Sequence, residues 1–203
     1  MLNLGKILNK KVIFIFVIVL ILAASGGFFW WKNGEIKGSP EDYIVKETEE
    51  GKIVENKKAG LTVNVPDNWE GTRIKDIEEG SFIIQTSDVE GKKNNDVVMP
   101  PLTKGCGIEI GINYKKLSFE EIEQSVKEIY LRLGAIDQTF ERTKVNGKEA
   151  LKNIVNTQYA GPMIGIYIPV INRIYSFTLI WAPDEKEKCV QEFDKFLETV
   201  SIQ

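Results

Sequence analysis

Histidine is absent from this 203-residue chain, and cysteine occurs only twice. Without histidine there is no Ser-His-Asp or Cys-His catalytic group and no histidine-ligated zinc or copper site. Serine nucleophiles also lack their usual setting, because the sequence contains neither a Ser-x-x-Lys nor a Gly-x-Ser-x-Gly motif. Acidic residues are plentiful, but their spacing singles out no acid–base pair. We therefore predict a non-enzymatic protein with no catalytic residue, metal site or cofactor.

Charge is absent from residues 12–31, an apolar run of 20 residues. A helix of this length spans about 30 Å, the thickness of a bilayer core. Three lysines precede the run and no acidic residue occurs before Glu35, so the positive-inside rule places the N-terminus in the cytoplasm. The alternative is a cleaved signal peptide, with a small-residue cleavage site at Ala23-Ala24-Ser25.

This topology divides the chain into four parts. We predict a basic cytoplasmic N-terminus at 1–11, a transmembrane anchor at 12–31, a charged linker with a short strand near Tyr43 at 32–59, and an extracytoplasmic domain at 60–203. Three of the 26 Lys+Arg and none of the 29 Asp+Glu precede residue 32, so the exported part carries a net charge of −6. An acidic domain of this kind is a poor nucleic-acid binder. The expected partners are the membrane and a protein at the membrane.

The two cysteines, Cys106 and Cys189, leave two interpretations open. Cys106 falls on the apolar face of a predicted strand, and Cys189 on or near the inner side of the last predicted helix. A disulfide between them would join helix to sheet, and the predicted compartment permits one. The alternative is two buried thiols that act as small apolar residues.

Periodicity predicts an α+β domain in which two helices pack on an antiparallel β-sheet. The first helix runs from a capping box at Ser118 and Glu121 to Gly134, and Asp184 is the predicted N-cap of the last helix. Residues 87–104 are predicted to be an irregular loop, and Asn146-Gly147 a hairpin turn. The predicted strands are 61–65, 72–77, 81–86, 106–114, 140–145, 148–159, 163–170 and 174–181.

Four short segments resemble the PsbP-like domain family. They are Gly60–Pro66 with Trp69, Asn146–Ala150, Ile174–Phe177, and Phe193–Leu197 with Val200–Ile202. The resemblance covers about residues 60–203 and implies an α/β/α sandwich of the membrane-anchored bacterial type. It also implies a binding or assembly module beside a membrane complex. The leading hypothesis is therefore a membrane-anchored module that acts through protein contacts, and the alternative is an extracytoplasmic small-ligand or Ca²⁺-binding protein.

The predicted loop carries two candidate sites. An uncharged segment in it is a candidate partner-binding surface, unless it folds over a sheet edge: Val97, Val98, Met99, Pro100, Pro101 and Leu102. Asp88, Glu90 and Asp96 are weaker candidates for binding Ca²⁺, because their spacing matches no calcium motif. Residues 159–162 and Trp181 could line a ligand groove at the ends of the sheet, although aromatic side chains on a strand are more often core residues.

Overall fold

The computed structural model describes residues 38–49, 51–74, 81–91 and 101–203, with the backbone alone for 72–74. The predicted anchor at 12–31 lies outside these residues, and none of the described helices is long and apolar enough to cross a membrane. The described helices are α1 (Phe119–Arg132) and α2 (Lys186–Glu198), with 3₁₀ turns at Pro40–Asp42 and Pro183–Glu185.

Strands make up most of the described chain and form sheets of four, seven and two strands. The four-stranded sheet has the order β1-β2-β3-β13, the seven-stranded sheet β4-β5-β8-β12-β11-β10-β9, and the two-stranded ribbon β6-β7. All of the strand pairs are antiparallel. The strands are β1 (Ile44–Thr48), β2 (Gly51–Asn56), β3 (Leu61–Asn64), β4 (Trp69–Ile74), β5 (Ser81–Thr86), β6 (Glu90–Gly91), β7 (Leu102–Lys104), β8 (Cys106–Asn113), β9 (Ala135–Val145), β10 (Lys148–Thr157), β11 (Gly161–Val170), β12 (Arg173–Trp181) and β13 (Ser201–Ile202).

The predicted fold class, an α/β/α sandwich of helices packed on one sheet, is wrong. The fold is dominated by sheets, and its helices are short. One face of the seven-stranded sheet shares its core with the four-stranded sheet as well as with α2. Tyr43, which directly precedes β1, belongs to this core: its ring stacks on Phe82 at 5.5 Å, and its hydroxyl donates to the Ile110 carbonyl at 3.4 Å.

The second sheet was missed because part of it lies in the predicted charged linker. Residues 44–56 form β1 and β2, and Val54 is fully buried opposite Val63 of β3. Charged residues in this hairpin occupy outward positions, where Lys46 and Glu55 form an ion pair. High charge content therefore hid a half-buried strand pair, whose inner face needs only a few apolar residues.

The opposite face of the seven-stranded sheet is covered by α1, which begins as predicted. The Glu121 amide donates to Ser118 Oγ at 3.2 Å, and Glu121 Oε2 accepts from the Ser118 amide at 2.7 Å. The helix buries one stripe against the sheet and forms a second core there: Ile122, Val126, Tyr130, Leu151, Val155, Ala160, Met163 and Ile174.

The start of the last helix and the predicted loop differ from expectation. Asp184 does not cap α2; it lies in the preceding 3₁₀ turn, and Glu185 is the residue at the cap position. Within 87–104, β6 and β7 form a two-stranded ribbon with Glu90 opposite Lys104. Local antiparallel pairing therefore orders part of the segment that was predicted to be irregular.

The predicted Asn146-Gly147 turn joins β9 to β10, and its asparagine also caps α2. Asn146 and Gly147 have φ angles of 47° and 78°, as a two-residue hairpin turn requires. The Asn146 Nδ2 atom donates to the carbonyls of Leu197, Glu198 and Val200 at 3.3, 3.1 and 2.7 Å. One amide thus satisfies backbone acceptors left over at the C-terminal end of the helix.

We expect Asn146→Gly to separate these two roles. Glycine keeps the turn geometry but removes the amide, so the free energy of unfolding should fall by about 1 to 2 kcal/mol. Urea unfolding of the variant checks this value. Gly147→Ala, which strains the turn without touching α2, is the matched comparison; an unchanged stability for Asn146→Gly would show that the cap is unimportant.

Candidate functional site

The only two cysteines are joined by a disulfide in this structure. Cys106 begins β8 and Cys189 lies on α2; both are fully buried, and their Cα atoms are 5.8 Å apart. The sequence left open a disulfide or two buried thiols, and the structure has the disulfide. Beside the bond, Glu185 Oε1 accepts from the Gly105 amide at 2.9 Å. The bond therefore ties the last helix to the middle of the seven-stranded sheet.

The two sulfurs and the Glu185 carboxylate also form a group of metal-ligating type, with their ligand atoms within 4.8 Å of one another. Thiolates bind metal ions, whereas sulfurs in a disulfide do not act as thiolate ligands. In the bonded state this group is consequently a structural link rather than a metal site.

A cleft lies between α1 and the seven-stranded sheet, with a volume of about 390 Å³. We call it the α1 cleft. Pockets of this size are typical of small-molecule sites. Its floor, formed by strands β5, β8, β11 and β12, is mainly polar, and its roof and rim, formed by α1 and its N-terminal approach, are mainly apolar. The lining is Ser81, Glu109, Gly111, Ile112, Asn113, Leu117, Ile122, Ser125, Val126, Ile129, Tyr130, Tyr167, Ile174, Ser176 and Thr178.

Glu109 is the only charged residue in this lining among the described residues. It lies on β8 between Ile108 and Ile110, which face the opposite core, so the strand alternation turns the glutamate toward α1. Its neighbours across the sheet are Ile83 and Thr178. Burial raises the pKa of Glu109, and a hydrogen bond with Ser81 only partly opposes that rise.

Hydroxyl groups form a second feature of the α1 cleft. The Tyr130, Tyr167 and Thr178 side chains are hydrogen-bonded to one another, and burial raises the pKa of both tyrosines, so both phenols stay neutral through the physiological range. Gly165 makes room for this cluster, since a Cβ there would lie 2.8 Å from the Tyr167 hydroxyl. On β10, which pairs with β11, the side chain of fully buried Asn153 has no hydrogen-bond partner among the described residues.

Sequence reasoning did not single out Glu109 as a site residue. A signal was present: Gly107, Glu109, Gly111 and Asn113 alternate on one face of β8. Three of these residues are small or uncharged and one is ionisable, on a strand face that a helix covers. Such a face cannot pack like a core and leaves a polar space.

A second hollow, the α2 groove, lies between α2 and the turn after β3, with a volume of about 690 Å³. Its walls carry charges of both signs, and Lys195 pairs with Glu192 at 2.8 Å. Asp88, one of the predicted ion ligands, lines this groove and forms an ion pair with Lys104 at 3.2 Å, which lowers its pKa. Its lining contains three lysines and three acidic residues, so the groove has no net charge that would select the sign of a ligand.

The three predicted calcium ligands are not all described. Asp88 lies in the turn before the β6–β7 ribbon and Glu90 is the first residue of β6; they belong to no group of three potential metal ligands among the described residues. Asp96 lies outside the described residues. The calcium site thus stays a prediction.

The predicted partner-binding segment is described only at its end. Val97, Val98, Met99 and Pro100 lie outside the described residues, whereas Pro101 and Leu102 are half-buried. Pro101 lies beside Gly161, in the turn that was proposed to line a groove. Of the aromatic residues proposed with that turn, Trp181 is a core residue, while Tyr159 is 48% exposed. Trp181 therefore has the core position that aromatic side chains on a strand more often take.

Comparisons with known proteins find similarity only among solved structures. No protein-family description matches the chain, and no curated protein gives a significant match. The solution structure of cyanobacterial PsbP (CyanoP) from Synechocystis sp. PCC 6803 is similar with a TM-score of 0.48 and 12% identity, covering 84% of this chain and 96% of that one. A Pseudomonas aeruginosa protein of unknown function matches with a TM-score of 0.46 and 10% identity, over 79% of this chain and 97% of that chain.

A third similar structure is a Bacteroides thetaiotaomicron VPI-5482 protein, with a TM-score of 0.43 and 16% identity. The match covers 71% of this chain and 45% of that one. At these scores the likenesses carry neither a function nor site residues to this chain. The resemblance to PsbP-like domains drawn from the sequence has a counterpart in the cyanobacterial PsbP structure, and the membrane-anchored type stays a prediction.

Proposed function

We propose that this protein is a non-enzymatic binding module, tethered to the membrane by residues 12–31 and working outside the cytoplasm through protein contacts. The disulfide between Cys106 and Cys189 carries the proposal. Disulfides persist in extracytoplasmic compartments and are rare in the reducing cytoplasm. The bond thus agrees with the topology that the flanking lysines favour.

A protein-contact role is supported by apolar side chains around the turn from α1 to β9. Ile129, Leu131 and Ile136 are 55%, 68% and 64% exposed, and the half-exposed Tyr159 ring lies against Gly134 in the same turn. Exposed apolar side chains near one turn favour contact with another protein. We call these four side chains the α1–β9 patch.

Site-specific photo-crosslinking in cells tests this contact. We expect a crosslinking amino acid at Leu131 to give a discrete adduct with a membrane protein. The same amino acid at Lys57, an exposed residue in the turn between β2 and β3, is the control and should give none. Adducts from neither Leu131 nor Leu102, the end of the predicted partner-binding segment, would contradict the protein-contact role.

Deletion of 92–102 separates the two interpretations of that segment. If the segment binds a partner, the deletion should abolish the Leu131 adduct while the urea midpoint stays within error. If it covers a sheet edge, the midpoint should fall while the adduct persists under conditions where the domain is folded. The measurements are immunoblotting of the adduct and urea unfolding of the purified chain.

A further inference from the structure

We propose that the α1 cleft binds a small organic cation, an ammonium compound with a short apolar body, and that Glu109 is its counter-ion. This inference goes beyond the proposed protein contacts and does not depend on them, since the α1 cleft and the α1–β9 patch share only Ile129 at the rim.

The α1 cleft has the two-sided lining that such a ligand needs. The floor offers oxygen acceptors from Ser81, Ser176 and Thr178 around the Glu109 carboxyl, and the roof offers the apolar side chains of Ile122 and Val126. An ammonium group can donate three hydrogen bonds to oxygen acceptors. Its apolar body would then lie against α1, where burial favours binding.

The charge of the cleft lining determines the charge of the expected ligand. No lysine or arginine lines the α1 cleft among the described residues, so Glu109 lacks a basic partner there. A carboxylate in a half-buried site without a countercharge is unfavourable, and a bound cation removes that penalty. The rings of Tyr130 and Tyr167 line the same space, and aromatic faces add to the attraction for ammonium ions.

The α1 cleft also limits the size of the ligand. A volume of about 390 Å³ is near the lower end of the range for small-molecule sites. The expected ligand is therefore a monoamine with a short alkyl or aryl group rather than a peptide or a lipid.

The test uses the full chain in nanodiscs of neutral phosphatidylcholine, titrated calorimetrically with butylammonium and 2-phenylethylammonium chloride. The uncharged analogue 2-phenylethanol and CaCl₂ are run in parallel. We expect at least one ammonium probe to bind, and 2-phenylethanol to bind at least about tenfold more weakly. The Glu109→Gln variant should bind the ammonium probe at least about tenfold more weakly than the wild type, because it loses a charged hydrogen bond. Glu70→Gln, which removes an exposed carboxylate on β4, should bind as the wild type does.

A pH series adds a signature that misfolding cannot mimic. The ionised carboxylate is the binding form, and the other titratable groups in the lining, Tyr130 and Tyr167, stay neutral, so ammonium binding should strengthen as the pH rises through the raised pKa of Glu109. The stability of the unliganded protein should move in the opposite direction. The folded state holds this proton more tightly than the unfolded chain, so ionisation above the ordinary value of 4.5 destabilises the fold.

Glu109→Gln should therefore melt at or above the wild-type temperature at pH 7, and the difference should vanish as the pH falls toward 4.5. Equal ammonium binding by wild type and Glu109→Gln would overturn the proposal. So would binding of neither ammonium probe, equal binding of 2-phenylethanol, or stabilisation by calcium alone.

Discussion

Removal of the Cys106–Cys189 bond is expected to lower the free energy of unfolding by about 4 to 5 kcal/mol. The bond closes a loop across 83 residues, and loop-closure entropy for this length predicts a loss of that size. Both sulfurs are fully buried between β8 and α2, so the unbonded helix would be held to the sheet by side-chain packing and by hydrogen bonds such as those of Asn146. A loss of this size is a large part of the stability of an ordinary domain.

The measurement is urea unfolding of the full chain in neutral detergent, followed by tryptophan fluorescence. Cys106→Ala with Cys189→Ala is compared with the oxidised wild type, and wild type in dithiothreitol serves as the control because it should match the double variant. A difference below about 1 kcal/mol between oxidised and unbonded protein would show that the bond does not constrain the unfolded chain as supposed.

Tyr43→Ala is expected to lower the free energy of unfolding by about 3 to 5 kcal/mol, the usual loss for a large buried aromatic residue. Its fully buried ring stacks on Phe82, and burial raises the pKa of its hydroxyl well above the ordinary value. If residues 32–59 were the predicted linker, this change would have almost no effect. The variant therefore tests whether the segment that leads into the four-stranded sheet is part of the core.

Two further variants make the Tyr43 result interpretable. Tyr43→Phe keeps the ring and removes the hydroxyl bond to Ile110, so a loss of only about 1 kcal/mol is expected. Ile44→Ala, at the neighbouring 41% exposed position, should cost less than about 1 kcal/mol. An unfolding midpoint for Tyr43→Ala equal to that of Ile44→Ala would argue against the two-sheet core.

Elements with strong local signals were predicted correctly. The capping box at Ser118 and Glu121 begins α1, and Asn146-Gly147 joins β9 to β10. Alternation also determines the faces of β12, because Tyr175 and Phe177 lie in the core shared with the four-stranded sheet and α2 while Ile174 lies in the core under α1. In each case the residues that determine the structure are near one another in sequence.

Features that depend on distant partners were not predictable in this way. The four-stranded sheet brings Ser201 of β13 beside Thr62 of β3, and the two residues of β13 carry no strand signal of their own. Asp184 has the residue type of an N-cap, but the helix starts later because Pro183–Glu185 forms a 3₁₀ turn. Tertiary contacts override local propensity at such places.

The α1 cleft likewise combines a feature that depends on local sequence with one that depends on distant partners. Alternation along β8 was enough to place Glu109 opposite the apolar face. It could not show that α1 would cover that face and leave a hollow, because the gap depends on how closely the helix approaches the small residues on the floor, such as Gly111 and Ser176. The raised pKa of Glu109 follows from that covering and not from its neighbours in sequence.

The topology is the claim on which the proposed function rests, and protease digestion of sealed cells or spheroplasts tests it most directly. Proteinase K added outside should degrade residues 38–203 in intact cells as readily as after lysis, while a cytoplasmic marker survives until lysis. Protection of that region in sealed cells, followed by rapid digestion once the cells are opened, would contradict an extracytoplasmic module.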